Sequence, residues 1–245
     1  MSILGINSAE YFGYPWFSRI NAIMSWIKPN GMEIWDADAV IIFVNDPDIW
    51  AYSWIYGFEI NYRRGQPIHP VVIQAPVGHN PTDTDYHDHV ISDAIVHELG
   101  HAIAKLDDEY VLDSLLYKFF NTPAMARFWS RNCDWTDYMP WSKFQAFSGK
   151  GYDDLGNDYS FKLVEGGLYN DTWIYRTSKG SIMLDYKDYD HFNPVSAYHM
   201  AASIKTRIGN VPYSLPINGI YGESIWWDNY TLDQFITEFP PEEFK

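Results

Sequence analysis

The segment from Ile91 to Leu106 constrains this chain more than any other. Its apolar residues Ile91, Ile95, Leu99, Ala102, Ile103 and Leu106 recur at three- and four-residue spacing. That is the period of an α-helix with one face against a core. The polar run NPTDTDYHD at 80–88 precedes it and offers several capping residues. Within the helix stands HELGH, with His97 and His101 four residues apart. Residues at i and i+4 share one helix face, so their imidazoles can meet at a single metal ion. Glu98, beside the first histidine, can reach a metal-bound water and serve as a general base. Such a motif arises by chance in about one chain in a hundred of this size. Its competing reading is two helix histidines paired with nearby acids and a solvated Glu98. The position on the strongest helix of the chain, with the apolar residues between the histidines on the core side, favours the metal.

Composition narrows the ligand set. The 245 residues hold one cysteine, Cys133. This excludes an internal disulfide framework, a multi-cysteine zinc site and a thiolate-ligated iron–sulfur cluster. A metal must then be held by histidines and carboxylates. A catalytic zinc takes three protein ligands and leaves the fourth position for water. Asp107, Asp108 and Glu109 follow the expected helix end, and all three are hard oxygen donors within reach.

With 17 basic against 32 acidic residues the net charge is −15. Nucleic acid and anionic membranes both need a positive surface, so neither is an expected partner. The longest purely apolar run, Ala39 to Val44, is too short to cross a bilayer, and the first residues carry no visible secretory signal. Aromatic residues make up 18% of the chain; the two readings are core packing and a ligand-stacking surface.

Residues 39–44 (AVIIFV) read as a buried strand closed by Asn45-Asp46-Pro47, and 71–75 (VVIQA) as a second strand. Flanking Pro70 and Pro76 suit the latter to a sheet edge, where an extended substrate could add as a further strand. A second helix is expected over 109–120, and irregular structure with short elements over 121–180. Asn193 caps a helix that starts at Pro194 and ends at Gly209, and a short helix is expected near 231–237. The length suits one large domain, and the order of elements is α+β.

Several stretches together resemble a known family. HELGHAIAKLDDEY at 97–110 resembles the HExGHxxxGLxDEY signature of the IgA-peptidase-like zinc metallopeptidases. FVNDP at 43–47, RNCDW at 131–135, VEGGLYNDTWIYRTSKGSIML at 164–184 and FNPVS at 192–196 resemble further segments of that family, in the same order. The likeness spans about residues 40–205. It implies a single metzincin-like (zincin-like) catalytic domain over 1–245: a mixed twisted sheet with the active-site helix in an upper part (1–106), and a loop-rich lower part (107–245). It implies Zn2+ as cofactor, a protein or peptide substrate, and peptide hydrolysis with Glu98 as general base. His97 and His101 would be metal ligands. The family's GLxD aspartate corresponds to Asp108, which ranks it ahead of Asp107 as third ligand, although Lys105 replaces the family's glycine. SIMLDY at 181–186 is similar to the metzincin methionine turn, making Met183 the floor beneath the histidine rings. Tyr186, one residue later than the usual tyrosine, is a candidate stabiliser of the transition-state oxyanion. The alternative is a zinc-binding module without proteolytic activity.

Of the remaining histidines, His199 is expected to pack in the late helix and His191 to lie in an acidic loop. His69, His79, His87 and His89 are expected in solvated polar loops. The family's other three cysteine positions are Ile182, Asn193 and Ser196 here. An unpaired Cys133 favours a reducing compartment, whereas the resemblance favours secretion.

Overall fold

The computed structural model describes residues 39–44, 52–55, 71–76, 85–104, 106–112, 130–135, 141–151, 156–208 and 230–242. Two small sheets and several helices make an α+β fold. The first sheet contains β1 (Ala39–Val44), β2 (Tyr52–Ile55) and β3 (Val71–Pro76) in the order β1-β3-β2. β3 runs parallel to β1 and antiparallel to β2, so the sheet is mixed.

This corrects the expectation that residues 71–75 form an edge. Pro70 precedes the strand and Pro76 is its last residue, so neither removes an N–H from the strand interior, and both sides of β3 are paired. Ile73 is fully buried between its neighbours. The edge strands among the described residues of this sheet are β1 and β2.

Helix α1 (Asp85–Ala104) packs on β3 and β2. It starts inside the polar run and includes His87 and His89, which therefore lie on the helix and not in a loop. It stops before Leu106, whose N–H donates to the Gly100 carbonyl at 3.1 Å as the chain turns away. Lys105, His69, His79, Gly209 and most of the expected second helix lie outside the described residues. The part of that helix that is described, Glu109–Leu112, is not helical and makes an isolated parallel bridge from Val111 to Tyr169. Its backbone groups are taken by other segments, as set out below.

The second sheet, β4 (Cys133–Trp135), β5 (Val164–Gly167) and β6 (Asn170–Arg176), is antiparallel in the order β4-β6-β5. It falls in the stretch read from the sequence as irregular. β5 and β6 are joined by only Leu168 and Tyr169. Helix α2 (Pro194–Ile208) begins as expected, with Ser196 N–H donating to the Asn193 side chain at 2.9 Å. Helix α3 (Leu232–Glu238) is capped by Thr231, reciprocally with Gln234. α2 packs against α1 and α3.

The larger core is aromatic. Trp141, Phe144, Phe147, Phe161, Tyr230 and Phe235 are buried with Val195 and Ala202. Packing therefore accounts for part of the aromatic excess. A smaller core of Ala104, Leu106, Ile182 and Met183 lies at the C-terminal end of α1. No helix of the described residues is long and apolar enough to cross a membrane.

Candidate metal centre

The i,i+4 spacing on α1 brings the two imidazoles together, with Nε2 of His97 and Nε2 of His101 3.0 Å apart. Each ring is oriented from behind by a main-chain carbonyl. His97 Nδ1 lies 2.8 Å from the Ile182 oxygen and His101 Nδ1 lies 2.6 Å from the Leu106 oxygen. A carbonyl only accepts, so each Nδ1 carries the proton and donates it. In the neutral rings both Nε2 lone pairs then face the same point. This is how metal-ligating histidines are commonly held.

Asp108 faces the same point from the segment after the helix. Its Oδ1 is 3.1 Å from His97 Nε2 and 3.2 Å from His101 Nε2. That oxygen is buried and has no hydrogen-bond partner other than these two rings. With both rings neutral, two nitrogen lone pairs and a carboxylate oxygen converge on one point; without a cation there, a proton on His101 bridges that ring and Asp108. Like acceptors repel unless a proton or a cation lies among them. A tetrahedral zinc with nitrogen and oxygen bonds of about 2.0–2.2 Å separates its ligand atoms by about 3.3 Å, close to the three spacings found here. The donor set fits a zinc ion. The Glu98 side chain is buried, and one carboxylate oxygen lies within 4.8 Å of a ring nitrogen of each histidine.

Protonation follows the same charges. Burial alone would lower the His101 pKa, but the Asp108 charge and hydrogen bond, the Glu98 charge and the Leu106 carbonyl outweigh it and raise the value to about 10. Asp108, although buried, is held well below the usual carboxylate range by His101 and His97. Asp107 is pushed up to about 6 by burial, opposed by His101.

The three consecutive acids point to different places. Of the three, Asp108 is paired with the two histidines of α1. Asp107 makes no ion pair with either histidine among the described residues; its main chain is clasped by Asn132, which accepts from Asp107 N–H at 2.7 Å and donates to its carbonyl at 2.8 Å. The Glu109 side chain turns to Asn132 and Asn193. Its Oε1 accepts from Asn132 at 2.9 Å and from Asn193 at 2.8 Å, and its N–H donates to the Met183 carbonyl at 2.9 Å. Glu109 is fully buried, and burial raises its pKa to about 7 against the pull of the two amides.

Met183 sits in a turn in which Leu184 N–H donates to the Ser181 carbonyl at 2.8 Å and Met183 N–H to the Ser181 hydroxyl at 3.1 Å. It is completely buried, directly under α1 at Gly100. A Cβ at Gly100 would stand 2.7 Å from the Met183 sulfur, so only glycine allows this approach. Tyr186 presents its ring edge-on to His97, centroids 5.4 Å apart. His191 is instead half-exposed and paired with Asp190. His199 is kept well below its usual pKa by burial and by Arg131.

The sequence reading missed Tyr169, Tyr110, Asn132 and Asn193 as site residues. Tyr169 donates a short hydrogen bond to Asp108 Oδ2, and its ring meets Tyr110 edge-on at 5.1 Å. Near Tyr169 the Gly166-Gly167 pair marks a chain reversal, and Tyr169 and Tyr110 both stand in segments quoted for the family resemblance. The asparagines stood in the segments quoted for the family resemblance, with no role attached.

The chain matches no protein-family model and no curated protein sequence.

Proposed function

We propose that this protein is a zinc-dependent endopeptidase with a metzincin-like catalytic domain, related to the IgA-peptidase-like metallopeptidases. The observation that carries the reading is the convergence of His97 Nε2, His101 Nε2 and Asp108 Oδ1 on one point beside the buried carboxylate of Glu98. Further support comes from the segments of the resemblance, which meet around this point. Asn132, Asn193 and the Met183 carbonyl all bond Glu109, and Tyr169 bonds Asp108.

His97, His101 and Asp108 would hold the ion. When bound there, zinc supplies a water of lowered pKa and polarises the scissile carbonyl. The Ile182 and Leu106 carbonyls fix both rings with Nε2 inward. Glu98 accepts a proton from the attacking water and gives it to the departing amine nitrogen. Met183 and its apolar neighbours close off the floor and exclude bulk water. Tyr186, on the His97 side, is the candidate donor to the oxygen on which charge develops. A substrate in extended form would add to β1 or β2.

The test compares the wild type with Glu98→Gln and Asp108→Ala. Zinc content is measured by mass spectrometry and cleavage on casein. The wild type is expected to hold one zinc and cleave; Glu98→Gln to keep the zinc and lose about 10²–10⁴-fold in activity; Asp108→Ala to bind zinc more weakly and retain less than one. A wild type that binds no metal, or binds zinc and cleaves nothing, overturns the reading.

A further inference from the structure

The turn between β5 and β6 is built in an unusual way. A two-residue hairpin loop needs positive φ at both central residues in its commonest form, and Asn-Gly is the favoured pair. Here the two residues are Leu168 (φ 49°) and Tyr169 (φ 64°). Side chains with a β-carbon rarely adopt this conformation, and two in succession are rarer. Gly166, just before, also has positive φ and lies so close to Val111 that a Cβ would come within 2.9 Å of its methyl group.

What holds the turn is the segment that carries Asp108. Leu168 N–H donates to the Asp108 carbonyl at 2.9 Å, Tyr169 N–H to the Tyr110 carbonyl at 3.0 Å, and Leu112 N–H to the Tyr169 carbonyl at 3.4 Å. The consequence is that the Tyr169 hydroxyl meets Asp108 Oδ2, the oxygen turned away from the histidines. Backbone strain that the surroundings over-determine is most often found where a site needs a fixed geometry.

We propose that Tyr169 is a positioning residue: by occupying Oδ2 it leaves Asp108 one inward oxygen and fixes the carboxylate as a one-oxygen ligand. The proposal rests on the zinc reading above. A carboxylate can bind a metal through one oxygen or both, and a second would take up the position that a catalytic zinc keeps for water. The strained turn is then the means of putting a phenol, and not a glycine, at that point.

The test is Tyr169→Phe, which keeps the ring and removes the donor. Zinc affinity is read by chelator competition, and coordination number by the visible spectrum of the cobalt-loaded protein. Affinity is expected to fall about 10–100-fold, and the cobalt bands to weaken as coordination rises above four. In an Asp108→Ala background the same substitution is expected to change affinity less than about twofold, because its effect runs through Asp108. Wild-type affinity and spectrum in Tyr169→Phe overturn the proposal, as does an equal loss in the Asp108→Ala background, which marks a general structural role. If Tyr169→Phe does not fold, Tyr169→4-fluorophenylalanine fills the para position and removes the donor; an affinity equal to that of the wild type overturns the proposal and a lower one supports it. A wild type that binds neither metal sinks the zinc reading as well, whereas failure in the variants alone sinks only the role of Tyr169.

Discussion

Glu109→Gln should stabilise the protein, and the gain should depend on pH. The Glu109 carboxyl titrates at about 7 in the folded chain, against 4.5 when exposed. Between those values the folded state holds a proton that the unfolded state has released, so stability falls as pH rises from about 4.5 to about 7 and is level above. At about 1.4 kcal/mol per pH unit, the accumulated loss is about 3 kcal/mol by pH 8. Glutamine keeps the Oε1 acceptor for Asn132 and Asn193 and carries no charge. Its amide nitrogen would stand at the Oε2 position, beside the Ser196 hydroxyl, to which it can donate. Urea denaturation followed by tryptophan fluorescence, with chelator present, gives the stability difference between variant and wild type from pH 5 to 8. The variant should gain on the wild type by about 2.5 kcal/mol across that range. A difference that is flat with pH, or that shrinks as pH rises, refutes the argument that burial holds this carboxyl in its neutral form.

Two further outcomes are expected. Gly100→Ala adds about 1 kcal/mol of helix propensity but drives a methyl group to 2.7 Å from the Met183 sulfur; overpacking of about 1–3 kcal/mol should win, seen as a lower Tm, and an unchanged or raised Tm would show that the floor yields freely. Because His101 titrates at about 10 without metal, zinc binding at pH 8 must displace its proton. Calorimetry in buffers of different ionisation enthalpy should find at least one proton released per zinc, with apparent affinity rising about tenfold per pH unit; a heat independent of buffer would contradict the His101–Asp108 pairing.

The parts of this structure that were legible in the sequence are those fixed by local rules. The period of α1 and the i,i+4 histidines needed no partner to be recognised. The composition of β1 marked a strand, although this strand, expected to be buried, lies at the sheet edge with Ile41 exposed, and Asn193-Pro194 carried its cap in plain view. The rest depends on segments far apart in the chain. Glu109–Leu112 was read as helical, but its backbone groups are bonded to Met183, Leu168 and Tyr169, contacts no local pattern reveals. Tyr169 was hidden because its turn lacks the Asn-Gly that usually marks one. Proline beside β3 suggested an edge, although a proline at a strand's end leaves the interior ladder intact.

The clasp of Asn132 on Asp107 bears on how such a sequence tolerates insertion and deletion. One side-chain amide occupies both main-chain groups of a single residue, as a neighbouring strand would, and so sets the phase of the acidic triplet. Slipping the chain by one residue would aim Asp107 or Glu109 at the histidines and turn Asp108 toward Asn132. The formal charges would be the same, but the buried amides would meet the wrong partners. A one-residue insertion or deletion between His101 and Asp108 would thus break the site even though acids abound there.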